Sequence, residues 1–307
     1  MKKILIALLF LALLAACTTA PEPVPETPVA SETPDTSDNT EISFDSMPLP
    51  RIDGSTATIP LGEAITALFL GGTREEAAKL VSFSGTNKSV AALAEGDADI
   101  LLVYEPPGDT MAEYGKKLEF QTIGRDALVF LVNASNPVDS ITTTQLQQIY
   151  TGEITNWSEV GGEDAEIIPY QRNATSGSET LMWRLVLGGL KPVVPPENLI
   201  IAEMEGLVAA VASYDNGSAA IGYNVYYYVS QMKNDPNVRL LAIDGVAPSD
   251  DTIRDGSYPF TNDFYAAIRK DEPEDSSARL LFNWLQGPWG AELLTENGYI
   301  YADIRPW

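Results

Sequence analysis

The sequence has 307 residues, with 43 acidic and 19 basic side chains and a formal net charge of -24 at pH 7. It contains no histidine and a single cysteine, which excludes Ser-His-Asp and Cys-His catalytic groups, HExxH zinc sites and internal disulfides. The acidic chain has no basic stripe, which argues against nucleic-acid binding. An enzyme that uses carboxylates, such as a phosphatase, is disfavoured because the usual general base near neutral pH is absent. We expect no catalytic residues, no metal and no cofactor.

The first residues have the pattern of a secretory signal. Lys2 and Lys3 precede an apolar run over residues 4–14, which is too short for a membrane span, and the exit reads LAAC at Cys17. This exit resembles the lipobox of bacterial lipoproteins, in which the cysteine is lipidated and becomes the new N-terminus. The resemblance implies a signal peptide over residues 1–16 and a lipid anchor at Cys17. An ordinary signal peptide with a chance cysteine is the alternative.

Residues 17–46 are predicted to form a disordered, solvated tether. The segment is rich in proline, glutamate, threonine and serine, and it has no lysine or arginine. Such a composition cannot bury enough apolar surface to offset the entropy of ordering the chain. We therefore expect the folded body to begin near residue 47.

The body alternates short β-type runs with helical patterns, which is typical of an α/β fold. Helices are predicted within residues 57–72, 89–96, 142–157, 178–189 and 204–217, with one or two more within residues 277–300. Strands are predicted at residues 79–85, 98–104, 126–137, 219–229 and 258–269. The sequence shows no internal repeat.

Three of the predicted helix starts share a feature. Hydroxyl and glycine residues precede each of them, as STAT before Pro60, SGTNKS before Val90 and TSGS before Glu179. A helix N-terminus has unpaired N–H groups and a partial positive charge, so several such ends directed at one point would bind an anion. Arg172 in QRNATSGSET would add a formal positive charge. Alternatively, each hydroxyl only caps its own helix, and spacing alone does not show that the starts converge.

Five segments of the body carry a family resemblance. In chain order they are DGSTATIP, LVFLVNASNPVDSITTTQLQQIYTGEITNWSEVGG, QRNATSGSET, AAIGY and YPFTNDFYAAIR. Together they resemble the phosphate-binding proteins of bacterial ABC importers, the PstS-like group of type II periplasmic-binding-protein folds. The second segment is the most specific, and the resemblance covers nearly the whole body. It implies an α/β, two-lobed type II periplasmic-binding-protein fold with two crossover strands and a central ligand cleft.

The resemblance also implies a division of the chain and a function. Lobe I would comprise residues 47–127 plus 258–307, and lobe II residues 128–257. The implied protein is an extracytoplasmic lipoprotein on the cell membrane, a monomer that captures inorganic phosphate and delivers it to the permease subunits of an ABC importer. Alternatives on the same fold are a phosphate sensor or adhesin without transport, or a binder of sulfate, molybdate or tungstate.

Ligand contacts are carried over from the family where this sequence matches. The family pattern implies phosphate-binding roles for Thr58, Ile59, Gly85, Thr86, Glu105, Arg172, Ser176, Gly177 and Ser178. Ile59 stands where the family often has an aromatic residue, and Ser84 is an alternative to Thr86.

Glu105 departs from the family pattern, which has an aspartate there. Its carboxylate would accept the proton that phosphate carries, whereas sulfate would leave a buried acceptor facing an anion, which costs roughly 1–3 kcal/mol. Phosphate-over-sulfate selectivity would then depend on Glu105. The alternative for Glu105 is a solvated acid at a strand end.

Overall fold

The computed structural model of the chain describes residues 43–174 and 176–302. The predicted signal peptide, Cys17 and most of the predicted tether lie outside the described residues. The last tether residues do not fit that prediction, because Phe44 is buried, with its ring 4.7 Å from that of Phe69 and 5.3 Å from that of Trp284. The packed body therefore includes Phe44, three residues before the predicted start at Met47.

The helical elements are distributed along the whole described body. Within it, the α-helices are α1 Ile59–Leu70, α2 Arg74–Ala78, α3 Thr86–Glu95, α4 Gly108–Tyr114, α5 Thr143–Thr151, α6 Gly177–Leu181, α7 Met204–Ala212, α8 Asp250–Arg254, α9 Ser277–Trp284 and α10 Pro288–Glu296. Segments of π-helix follow at Met182–Leu187 and Tyr228–Lys233. Turns of 3-10 helix lie at Thr56–Thr58, Gly115–Lys117, Trp157–Val160, Glu197–Leu199 and Tyr214–Asn216.

The strands differ greatly in length. They are β1 Ile52–Gly54, β2 Ile100–Tyr104, β3 Leu118–Asn133, β4 Ser140–Ile141, β5 Ile168–Pro169, β6 Gln171–Arg172, β7 Ile200–Ile201, β8 Ala220–Val225, β9 Val238–Leu240, β10 Ala242–Ile243, β11 Thr261–Arg269 and β12 Ile300–Tyr301. The main sheet has the order β1-β2-β11-β3-β8-β5, with β12 and β9 also paired to β3.

Strand β3 joins the two halves of this sheet. Its residues up to Ala127 pair with β11, and from Leu128 onward it pairs with β8. Helices α1, α3, α9 and α10 pack with the first half, and α7 packs with the second. The chain thus has the predicted two-lobed α/β architecture. Strand β3 changes partner between residues 127 and 128, and the division of the chain into lobes at this point remains a prediction.

Local sequence rules explain the well-predicted helices. Pro60 lies in the first turn of α1, the buried face carries Leu61, Ile65 and Phe69, and Gly71 ends the helix in a left-handed conformation. Thr142 begins α5, because its hydroxyl accepts the Gln145 N–H in a capping box.

Three predicted elements differ from the structure. Residues 79–85 form no strand, because Ser84 donates from its N–H and its hydroxyl to the Asp53 carboxylate instead of joining a ladder. Strand β3 begins at Leu118, eight residues before the predicted start at Asp126. Strand β8 ends at Val225, and the tyrosines that follow are helical despite their preference for strands.

Candidate functional site

A cavity of about 670 Å³ lies where the two sheet halves meet. Polar residues form much of its wall: Ser55, Thr56, Ser84, Gly85, Thr86, Asn87, Lys88, Arg172, Ser176, Gly177, Ser178, Glu203 and Glu205. Ala57, Phe83, Tyr104, Met204, Val225 and Tyr228 add apolar and aromatic surface. Both predicted lobes contribute, so the cavity is the expected interlobe cleft.

The three helix starts noted in the sequence converge on this cavity. The Ser55 and Thr86 hydroxyl oxygens lie 2.8 Å apart, which joins the first start to the second. A Cβ at Gly177 would lie 3.3 Å from the Thr86 hydroxyl oxygen, so the third start also reaches the second. The convergence, which spacing alone could not establish, is therefore present in the structure.

The start of α3 presents backbone donors to the cavity. The first intrahelical hydrogen bond runs from the Ser89 N–H to the Gly85 carbonyl at 3.0 Å, so the N–H groups before Ser89 have no partner within the helix. Gly85 offers no capping side chain, and its φ of 91° is one that L-residues rarely adopt. Because glycine has no side chain to cap the helix, the N–H groups of this first turn, whose residues line the cavity, remain uncapped.

Arg172 lies at the opposite wall and is almost fully buried. Strand β6 pairs with β7, and this brings the guanidinium to the β7 end: Nε donates to the Ile201 carbonyl at 3.1 Å and Nη2 to the Ala202 carbonyl at 2.9 Å. Nη1 donates to the Ser178 hydroxyl at 3.2 Å. Guanidinium has five N–H donors, so these contacts leave two for a ligand. Burial lowers the pKa of Arg172, yet arginine stays charged because its ordinary pKa is so high.

The serines of the third start have different roles. The Ser176 hydroxyl accepts the Glu179 N–H at 3.1 Å and so acts as the N-cap of α6, as the capping alternative expects. The Ser178 hydroxyl accepts from Arg172, and its own proton can still be donated. Gly177 lines the cavity between them.

The placement of Thr58 and Ile59 does not fit their predicted roles. The Thr58 hydroxyl donates to the Ser55 and Leu102 carbonyls at 2.8 and 2.6 Å, and its N–H also bonds to the Ser55 carbonyl. The Ile59 N–H bonds to the Thr56 carbonyl. Neither residue is among the described residues that line the cavity. Ser55, Thr56 and Ala57, the three residues before Thr58, take this place, because the chain forms a 3-10 turn before α1.

Glu105 is also placed differently from its prediction. Its carboxylate oxygen lies 3.0 Å from a guanidinium nitrogen of Arg184, in an ion pair whose two side chains are partly exposed. Glu105 does not belong to the described cavity lining. In this arrangement the Glu105 carboxylate pairs with Arg184 outside the cavity lining, which does not fit its predicted role as acceptor of the ligand's proton.

Sequence reasoning missed several residues of the site. The hydroxyls of Ser55 and Thr56 belong to the STAT segment and could have been found there, but Glu203, Glu205 and Tyr228 had no motif to mark them. Glu205 forms an ion pair with Lys233.

Within residues 43–174 and 176–302, no group of three or more acidic, histidine or cysteine side chains is placed to hold a metal ion. None of the helices in this part has the length and apolar character to cross a bilayer.

Comparison with known proteins gives consistent relatives. The phosphate-binding protein PstS of Bacillus subtilis (strain 168) is 27% identical over 254 residues, which are 81% of this chain and 79% of that protein. A structure from Clostridium perfringens, described as a phosphate ABC transporter substrate-binding protein with bound phosphate, superposes with a TM-score of 0.66 and 25% identity, over 82% of this chain and 98% of that chain.

A second structure, an ABC-type phosphate transport receptor from Vibrio cholerae, has a TM-score of 0.62 and 25% identity, over 81% of this chain and 98% of that chain. These relatives are named as binding and transport proteins and not as enzymes. A family model described as PBP superfamily domain matches residues 52–287. Since that match spans most of the chain, the chain belongs to the PBP superfamily, as a PstS-like binding protein and not an enzyme.

Proposed function

We propose that this protein captures inorganic phosphate in the interlobe cavity and delivers it to an ABC importer. The observation that carries the proposal is the convergence of three helix starts and Arg172 on one cavity. The relatives, which are phosphate-binding and phosphate-transport proteins, support phosphate as the ligand.

The donors suit an oxyanion of high charge. Two remaining guanidinium N–H groups of Arg172, the Ser178 hydroxyl and the backbone N–H groups that begin α3 can each bond a phosphate oxygen. Hydrogen bonds to charged groups contribute roughly 1.5–3 kcal/mol each, so a few of them produce tight binding. The net charge of -24 does not prevent this. Distant charges are screened beyond about 8 Å at physiological ionic strength, whereas the site acts at contact distance.

The proposed ligand contacts come from both lobes. They are Thr56 and Thr86 in lobe I, and Arg172, Ser176, Gly177 and Ser178 in lobe II. Gly85 lines the same cavity, but its N–H bonds to the Gly54 carbonyl at 3.1 Å. Because the ligand would touch both sides, closing the cleft around it would complete its coordination, as in other two-lobed binding proteins.

We further propose that the mature protein is an extracytoplasmic monomer held to the cell membrane by a lipid at Cys17, with the permease subunits of the importer as its partners. The LAAC exit before Cys17 supports this anchor. Metabolic labelling with a palmitate analogue tests it: Cys17→Ser should abolish the label and release the protein from the membrane, and a labelled variant would refute the site.

A calorimetric panel of anions tests the proposed ligand. Phosphate, sulfate, molybdate and tungstate are titrated into the folded protein and into Arg172→Ala. We expect phosphate to bind most tightly, and the variant to bind at least about 100-fold more weakly, because two charge-assisted hydrogen bonds are lost. Tighter binding of another anion would replace phosphate as the ligand, and an unchanged affinity in the variant would remove Arg172 from the site.

Arg184→Ala is the matched control for this variant. It removes a guanidinium from the same lobe, but one that pairs with Glu105 outside the cavity lining.

Phosphate uptake by cells that carry the wild-type or the Arg172→Ala protein separates transport from sensing. If the protein is only a sensor, uptake should be the same with either protein.

A further inference from the structure

Glu179 is a buried carboxylate next to the Arg172 end of the cavity. It is 7% exposed, and donors hold both of its oxygens: Trp183 Nε1 lies 2.8 Å from Oε1, and the Tyr223 hydroxyl donates to Oε2. Burial raises the pKa of Glu179, and the hydrogen bonds from Tyr223 and Trp183 act against that increase. The proposed phosphate contacts do not include this residue.

The Tyr223 hydroxyl connects Glu179 to Arg172. Its oxygen accepts the backbone N–H of Arg172 at 3.0 Å while its proton goes to Glu179. The Glu179 N–H also bonds to the Ser176 hydroxyl at 3.1 Å. Glu179 is thus bonded to the residue that caps α6 and, through one hydroxyl, to the strand that carries Arg172.

In this chain of hydrogen bonds, the chemistry of each group fixes which one donates and which one accepts. A tyrosine hydroxyl has one proton to donate, and its oxygen lone pairs can accept. An ionised carboxylate can only accept, so it fixes where the Tyr223 proton points and leaves the oxygen lone pairs for the Arg172 N–H. Without such an acceptor the hydroxyl could rotate and leave the buried N–H of Arg172 without a partner.

We propose that Glu179 is a positioning residue for Arg172, acting through the Tyr223 hydroxyl to hold strand β6 at a fixed distance from the start of α6. The guanidinium of Arg172 and the donors of Gly177 and Ser178 then face the same point. The inference rests on the proposed role of Arg172 in phosphate binding.

The negative charge of Glu179 opposes anion binding nearby but attracts the Arg172 guanidinium, so the variants must separate the charge from the hydrogen bond. Glutamine retains one acceptor oxygen for the Tyr223 hydroxyl and removes the charge, whereas leucine removes both. The positioning role therefore predicts that Glu179→Gln keeps the site in order and that Glu179→Leu does not.

The test measures hydrogen exchange of the Arg172 amide in the full, ligand-free chain, so it does not depend on which anion binds. We expect Glu179→Leu and Tyr223→Phe to exchange this amide about tenfold faster, because a buried N–H loses its acceptor. Glu179→Gln should stay within about threefold of the wild type, since one acceptor oxygen remains.

Tyr150→Phe is the matched control. Tyr150 belongs to the same buried aromatic cluster, with its ring 5.6 Å from that of Tyr223, but its hydroxyl is directed to the Tyr170 carbonyl at 3.4 Å. Loss of this hydroxyl should leave the exchange of the Arg172 amide unchanged. A general loosening of the cluster would affect both phenylalanine variants equally and would refute a specific role.

Titration of inorganic phosphate into the same variants completes the test. We expect Glu179→Leu and Tyr223→Phe to bind about tenfold more weakly and Glu179→Gln to bind at least as tightly as the wild type. If Tyr223→Phe is folded and neither its amide exchange nor its affinity changes, the positioning role is wrong. If exchange changes as expected but the wild type binds no phosphate, the positioning role remains and the proposed ligand fails.

Discussion

At the residue scale, the site depends on how each polar group is already occupied. Arg172 uses three donors to bond to its own lobe and so has its guanidinium held in place before a ligand arrives. Preorganised donors lose little entropy when they bind, which is the usual source of strong anion recognition by a few groups. Glu105 is the opposite case, because its carboxylate pairs with Arg184 and does not line the cavity.

The Glu105 ion pair leads to a prediction about selectivity. Glu105→Gln should leave the ratio of phosphate to sulfate affinities unchanged, because the carboxylate is engaged outside the cavity lining. Either affinity alone should change by less than about fivefold, as expected for a partly exposed ion pair of at most roughly 1 kcal/mol. Calorimetric titration of both anions measures this, with Arg184→Gln as the control that breaks the same pair from the other side. A collapse of the ratio in Glu105→Gln alone would return Glu105 to the ligand site.

The individual residues also show which parts of the cavity lining could be predicted from the sequence and which could not. Arg172, Ser176, Gly177 and Ser178 match one short motif and line the same cavity, because neighbouring residues at a helix start stay together in space. Thr58 does not line the cavity, because the 3-10 turn before α1 directs its hydroxyl to backbone carbonyls. A turn of this kind depends on contacts that no local pattern contains.

Among the helices and strands, the sequence gives clear signals for some helix ends but not for the lengths of strands. Gly71 ends α1 in a left-handed conformation, as predicted, and Gly152 ends α5 in the same way, although the predicted helical segment continued to residue 157. Strand β3 is 16 residues long, and its first part was missed because LEFQTIGR mixes charged and apolar residues. That part is a strand because β11 pairs with it along the sequence from Leu118 to Ala127. Pairing between distant segments is a tertiary effect that overrides local preference.

The start of α3 gives a prediction at this scale. Gly85→Ala should destabilise the fold by roughly 1–3 kcal/mol, because its φ of 91° and ψ of 162° are nearly restricted to glycine. Phosphate affinity should also fall, since any backbone shift at Gly85 moves the uncapped N–H groups of α3. Urea unfolding and calorimetry measure the two effects separately.

Gly96→Ala is the control for this variant. Gly96 ends the same helix with a φ of 87°, and a Cβ would meet nothing within 4 Å at either glycine. We expect Gly96→Ala to cost roughly 1–2 kcal/mol of stability while leaving phosphate affinity unchanged. Equal losses of affinity in both variants would mean that the start of α3 has no special part in binding.

At the scale of the whole molecule, Asp126 lies where β3 passes from one sheet half to the other. The residue is 2% exposed. Its carboxylate accepts the Tyr104 hydroxyl from β2, the Ala127 N–H at 2.7 Å and the Tyr227 N–H at 3.1 Å, so it is bonded to both lobes. The ring of Tyr227 stacks on that of Tyr299 at 3.8 Å, and the Tyr299 hydroxyl donates to the Ala57 carbonyl at the cavity. This junction therefore links the crossover, both lobes and the first site loop.

The ionisation of Asp126 predicts how stability depends on pH. Burial raises the pKa of Asp126 from 3.8 to about 6, so between these values the folded state binds a proton that the unfolded state has lost. The contribution of Asp126 to the free energy of unfolding is therefore largest below pH 4, falls as the pH rises through 6, and is constant above that. A pKa shift of this size corresponds to a change of about 3 kcal/mol in the free energy of unfolding. Asp126→Asn, which is neutral at every pH, should become more stable relative to the wild type as the pH rises from 5 to 7.5.

The pKa of Asp99 shifts in the opposite direction to that of Asp126. Its hydrogen bond and ion pair with Arg51 lower the pKa of Asp99, so that its contribution to stability is lost as the pH falls. Because this pKa lies below its ordinary value of 3.8, the loss occurs below about pH 4, and Asp99→Asn should run parallel to the wild type between pH 5 and 7.5. Urea unfolding of the wild type, Asp126→Asn and Asp99→Asn at pH 5, 6 and 7.5 checks this and measures the slope of Asp126→Asn. An Asp126→Asn curve parallel to that of the wild type would show that the carboxylate stays ionised throughout. The hydrogen bonds from Tyr104, Ala127 and Tyr227 would then outweigh its burial, and the lobe junction would not respond to pH in this range.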